Sequence, residues 1–251
     1  MPRLDVQIPA PDGTCPGTLH VPDGDGHLES WPGVIIFPDA GGARETIRQM
    51  GDHLAGLGYV GLVPDVYYRA GAWTPFDVAT LFTDPGERAR MGTLVRPLSN
   101  DVIVADATAY AEFLLARPEV GGTAIGTTGY CLGGYMSLVA ATGLGRTVAA
   151  AASFHGGRLA VADNPSSPHL AAGDITATVY VAGATDDDSF TAAQAELLRD
   201  ALAGAGVDFT LEIYPARHGF AVPDNPTYDE AAQARHWDAL ARLYQATLAD
   251  G

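Results

Sequence analysis

Cys131 stands in the run Gly129-Tyr130-Cys131-Leu132-Gly133-Gly134, between an apolar strand pattern at 123–128 and a helical pattern that begins at Leu132. This is the G-x-S-x-G form of a nucleophile elbow, with a thiol in place of the hydroxyl. A strand that turns sharply into a helix leaves no room for side chains around the nucleophile, and glycine meets that need. The turn would lift the sulfur to the carboxyl edge of a sheet. The N-terminus of the helix beneath would favour thiolate and offer N–H groups to an oxyanion. Taken alone, the run also fits a buried, apolar-like cysteine, which is what most free cysteines are. The residues elsewhere in the chain weigh toward chemistry.

A thiol nucleophile needs a base, and His218 meets that need. It lies in Tyr214-Pro215-Ala216-Arg217-His218-Gly219-Phe220, directly after a strand pattern at 208–214. Of the other histidines, His20, His27 and His53 precede the elbow, His169 sits in a Pro/Ser loop, and His236 lies within a terminal helix. His155 is the rival, because it ends the strand after the elbow and would line the same pocket. The acid that orients the imidazole should come from the loop after the penultimate strand, Gly183-Ala184-Thr185-Asp186-Asp187-Asp188. Three carboxylates compete there. The order nucleophile, acid, histidine comes out as Cys131, Asp187 (or Asp186), His218. Pro38-Asp39-Ala40-Gly41-Gly42 closes the strand at 34–37. That loop would supply the N–H of Ala40 as partner to the N–H of Leu132 in an oxyanion hole, and would bring Asp39 near Cys131. A simple turn aspartate reads equally well for Asp39.

Strand patterns at 34–37, 59–63, 123–128, 148–154, 175–182 and 208–214 alternate with helical patterns at 45–57, 100–116, 132–143, 192–203 and 228–248. That alternation predicts an α/β fold, a mostly parallel twisted sheet with helices on both faces. Residues 4–21 read as an antiparallel edge hairpin. The stretch 71–98 breaks into Gly, Pro and charge and reads as an irregular pocket wall with little helix. No linker or repeat interrupts the chain, so one domain over 1–251 is expected.

The composition fits a globular protein: 251 residues, 47% hydrophobic, 18% charged, with a formal charge of -16. Such a charge disfavours nucleic acid and anionic membrane as partners and leaves a small molecule as the expected one. Two cysteines are too few for a disulfide framework, and no Cys or His spacing resembles a zinc site, so no metal or cofactor is implied. The N-terminus lacks a signal-peptide pattern and no apolar run is long enough to span a bilayer, which points to the cytoplasm. Nothing in the sequence chooses between monomer and homodimer.

Three stretches together resemble the dienelactone hydrolase family of α/β-hydrolases: Gly-Tyr-Cys131-Leu-Gly-Gly, Gly58-Tyr59-Val60-Gly61-Leu62-Val63-Pro64-Asp65-Val66-Tyr67, and His218-Gly219-Phe220. The resemblance implies a Cys–His–Asp triad of Cys131, His218 and Asp187 that opens an unsaturated lactone. It also implies a carboxylate, here Asp39, that interacts with the resting thiol. Two departures stand out. The family's oxyanion-loop carboxylate is typically Glu, and Asp39 is one methylene shorter. Dienelactone hydrolases also carry an Arg four residues beyond the catalytic histidine to hold the substrate carboxylate, and Val222 stands there.

The expected function is hydrolysis of a small ester or lactone through a thioester, with a neutral substrate preferred over a carboxylate-bearing one. Arg69, Arg88, Arg90 and Arg96 flank or lie in the irregular stretch and would be the compensating cations. A general carboxylesterase or thioesterase, or a silent ligand-binding scaffold, are the competing readings.

Overall fold

A computed structural model describes residues 2–24 and 30–248, so His27 lies outside the described residues. Eight strands form one sheet in the order β1-β2-β4-β3-β5-β6-β7-β8. β1 (Arg3–Ala10) and β2 (Gly13–His20) make the antiparallel edge hairpin, and β2 runs antiparallel to β4 (Val60–Pro64). The remaining pairings are parallel, through β3 (Trp31–Phe37), β5 (Val120–Tyr130), β6 (Val148–Phe154), β7 (Thr178–Asp186) and β8 (Phe209–Arg217). Parallel neighbours require long crossovers. The helices are α1 (Glu45–Gly56), α2 (Pro85–Val95), α3 (Asn100–Leu115), α4 (Leu132–Gly143), α5 (Ala192–Gly204) and α6 (Glu230–Thr247).

The run Val34-Ile35-Ile36-Phe37 explains the two-faced sheet. Ile35 and Phe37 pack with Ile103, Leu114 and Met136 of α3 and α4. Val34 and Ile36 pack with Ile47, Leu54 and Tyr244 of α1 and α6. Successive side chains point to opposite faces, so a strand covered on both sides must be apolar at every position.

The stretch 71–98 departs from its expectation, because Pro85–Val95 is a helix. Its start was legible: Asp84 caps it by accepting the Glu87 N–H at 2.9 Å, Pro85 stands at the first helical position, and Glu87 completes the D-x-x-E pattern. No residue of the helix is fully buried, and Met91, Leu94 and Val95 are its partly buried apolar positions against the core. β7 begins at Thr178 rather than at 175, since Pro168–Asp174 winds into 3-10 turns. β8 continues to Arg217, which carries His218 to the sheet's carboxyl edge.

Candidate active site

Four loops meet at the carboxyl ends of β3, β5, β7 and β8, the usual position for a site in an open α/β sheet. Cys131 follows β5 and is the N-cap of α4, with φ 54° and ψ -114°. A non-glycine residue held there costs about 1–3 kcal/mol and marks a functional turn. The neighbouring glycines make the turn possible. A Cβ on Gly129 would lie 1.9 Å from the Gly133 carbonyl oxygen, and one on Gly133 would lie 2.1 Å from that of Phe37.

His218 Nδ1 sits 2.8 Å from Asp187 Oδ2, and the ring lines the same cavity as Cys131. The Asp187 side chain is 1% exposed, against 75% for Asp186. Asp186 turns outward to Arg217, so of the two candidate acids Asp187 is the one that meets the imidazole. Ser189 steadies it: its N–H and hydroxyl donate to Asp187 Oδ1 at 2.8 and 2.6 Å. Sequence reasoning passed over Ser189, although an acceptor two residues before a Ser is a familiar local turn pattern. Burial alone would push His218 down. The charge on Cys131, then the contact with Asp187, outweigh it and push His218 up to about 10. Burial works against the Asp187 carboxylate, but its hydrogen bonds with His218 and Ser189 hold it below the usual carboxylate range.

His155 does not line the pocket. It is fully buried beneath the elbow, where its Nδ1 accepts the Cys131 N–H at 3.2 Å, a donor shared with the Phe154 carbonyl at 3.1 Å. Burial holds it well below the ordinary histidine range, so it is neutral and serves the nucleophile's backbone.

Asp39 lies beside Cys131 and His218 on a small void, yet Arg44 and a backbone N–H take up its oxygens. Arg44 donates Nη1 to Oδ1 at 2.6 Å and Nη2 to Oδ2 at 3.0 Å, and the Gly41 N–H reaches Oδ1 at 2.8 Å. The opposite side of the Arg44 guanidinium holds Asp224, at 2.7 Å from both Nε and Nη2. Asp39, expected near the thiol, is thus held in an ion pair with Arg44. One buried arginine ties the loop after β3 to the loop after His218. Tyr67 also holds the first loop, donating to the Ala40 carbonyl at 3.0 Å.

A cavity of about 790 Å³ opens over Cys131, with Ala40, Leu132, Asp187 and His218 in its wall. Leu132 is the first residue of α4, so its N–H has no acceptor within the helix. Of the four arginines flagged from sequence, only Arg96 lines the cavity, and Arg158 joins it. Arg69 is held by Asp12 and Asp106, and Arg90 by Glu87 while stacked on Phe76. Val222 does not form part of the wall. It is fully buried in the core beneath α6.

A thiol on a strained strand-to-helix turn, with an imidazole and a buried carboxylate converging from later strands of one mostly parallel sheet, defines an α/β-hydrolase. Residues 17–248 match the dienelactone hydrolase family, and the chain belongs to it. It is a hydrolase of esters or lactones. A carboxymethylenebutenolidase from a Pseudomonas species is 27% identical over 224 residues, covering 84% of this chain and 85% of that one. Among solved structures, a dienelactone hydrolase-like promiscuous phosphotriesterase from metagenomic libraries superposes with TM-score 0.77 at 27% identity, covering 98% of both chains. A dienelactone hydrolase from Anabaena variabilis shares the fold, with TM-score 0.68 at 17% identity over 98% of both chains. Among the described residues no helix is long and apolar enough to cross a membrane, and no group of three or more His, Cys, Asp or Glu could hold a metal ion.

Proposed function

We propose that the chain cleaves its ester or lactone through a thioester on Cys131, with His218 as base and Asp187 as the orienting acid. The observation that carries this reading is the His218–Asp187 pair lining the same cavity as Cys131, with the imidazole raised by the sulfur's charge. The Cys131 thiolate adds to the carbonyl carbon, and the N–H groups of Leu132 and Ala40 take the developing oxyanion. The C–O bond breaks, and the leaving oxygen takes the proton of the His218 imidazolium. Acylation removes the charge that held His218 up. Burial, the largest single influence on the ring, then lowers it and readies it as a base. Water loses a proton to His218 as it attacks the thioester, the C–S bond breaks, and the ion pair is restored. Asp187 holds the proton on Nδ1, which leaves Nε2 to face the sulfur and the water.

The test is to quench a reaction with p-nitrophenyl acetate during its first turnover and map the acyl group by peptide mass spectrometry. One acetyl on the peptide containing Cys131, with a burst of p-nitrophenol, is the expected result. Turnover without an acyl group on Cys131 would overturn the thioester.

A further inference from the structure

The cavity is far larger than a small lactone needs. About 150 Å³ is enough to hold a benzene ring, and this cavity measures about 790 Å³. Its apolar wall is built from Phe82, Met91, Val95, Leu98, Leu132 and Tyr135. Phe82 is 47% exposed, an aromatic ring left without protein cover on that wall. Cations do not dominate the site, because Arg96 and Arg158 share the wall with the carboxylates of Asp187 and Asp188.

A second, independent observation comes from Gly92. It lies inside α2 and lines the same cavity. Glycine weakens a helix interior relative to alanine, so its presence calls for a reason. Its backbone is outside the left-handed region, and no atom lies within 4 Å of where a Cβ would stand, so no protein neighbour requires it. What the missing side chain leaves open is space in the cavity.

We propose that this wall is a subsite for a bulky apolar group of the ester, an uncharged chain or ring of roughly octanoyl size lying along Gly92 and Val95 of α2 toward Tyr135. The chain is thereby assigned to apolar esters rather than to small carboxylate-bearing lactones. The assignment rests on Cys131 as the nucleophile, while the subsite itself can be tested without catalysis.

The experiment compares p-nitrophenyl acetate, p-nitrophenyl octanoate below its micellar concentration, and the matching ester carrying a terminal carboxylate. Each methylene buried is worth about three- to fourfold in binding. Even with partial burial, kcat/KM should therefore rise at least about tenfold from acetate to octanoate. The carboxylate-bearing ester should be slower than octanoate. Gly92→Phe, which fills the space, and Val95→Asp, which charges it, should each reduce the octanoate-to-acetate ratio about tenfold or more. Neither position is fully buried, and Gly92 has open space around it, so Gly92→Phe tests the subsite even if Val95→Asp disturbs the packing of α2; circular dichroism checks the fold of each. A flat chain-length profile, an unchanged ratio in both folded variants, or preference for the carboxylate ester would overturn the subsite. If wild-type protein cleaves none of the esters, the hydrolytic reading of Cys131 fails instead. Calorimetry on Cys131→Ala then decides the subsite, by whether octanoate binds at least about tenfold tighter than acetate.

Discussion

Cys15 and Cys131 are the same residue type, one inside a strand and one just past a strand's end, and their surroundings make them chemically different. Cys15 lies within β2, is fully buried, and has its sulfur 3.4 Å from the Tyr110 hydroxyl and from the Asp65 carbonyl. Burial pushes its thiol up to about 12. Cys131 stands at the end of a strand, partly exposed, on the N-terminus of a helix and against an imidazole. A strand interior provides neighbours that exclude solvent, whereas a strand end provides a loop, a helix N-terminus and access. The thiol's reactivity is set by its position in the topology.

The contrast is broken most directly by removing each sulfur in turn. Cys131→Ala should lower kcat by on the order of 10⁴ or more, while Cys15→Ala should leave kcat unchanged. Iodoacetamide should label the native protein at Cys131 and reach Cys15 only after denaturation. Equal labelling of the two in the native state would undo the comparison.

The next effect sharpens the same contrast at the acid loop. Asp187→Asn removes the acceptor that fixes the His218 tautomer and should cost roughly 10³–10⁴ in kcat. Asp186→Asn and Asp188→Asn should be mild, since Asp186 faces solvent and Arg217. A deep loss at Asp186 with a mild one at Asp187 would move the orienting role to Asp186.

Arg44 tests whether the site's two halves are held in register. Arg44→Met leaves the Asp39 carboxylate, 7% exposed, without its partner. Breaking a buried ion pair from one side costs about 3–5 kcal/mol, and urea unfolding should show a loss toward the lower figure because Asp224 is partly solvated. Activity should fall with it, through loosening of the loop that carries Ala40. An unchanged urea midpoint would refute the clamp.

The smallest effect is a shift in titration. The charge on Cys131 raises His218, so removing the sulfur must lower it. Imidazole resonances of His218 in Cys131→Ala should titrate at lower pH than in the native protein, with Asp187 still holding the ring above what burial alone would give. An unmoved titration would mean that the sulfur carries no charge toward the ring.

The sequence by itself determined the parts whose physics is local or periodic. The elbow glycines are dictated by steric contact within a few residues, the alternation of apolar runs by the pleat and the helical turn, and the base by its place after the last strand. The capping pattern at Asp84 and the spacing of Met91, Leu94 and Val95 are also written in the chain, but the Gly, Pro and charged residues around them mask the helix. Tertiary structure alone decided the rest. Asp186 and Asp187 are indistinguishable in composition, and only the pairing of β7 with β8 turns one to Arg217 and the other to His218. Arg44 and Asp224 are 180 residues apart, and no local pattern joins them. Asp39 takes its cation from five residues along the same loop, while the fold alone brings Asp224 to the far side of that guanidinium. A buried carboxylate takes whichever cation is set beside it, because leaving it buried and unpaired is strongly destabilising.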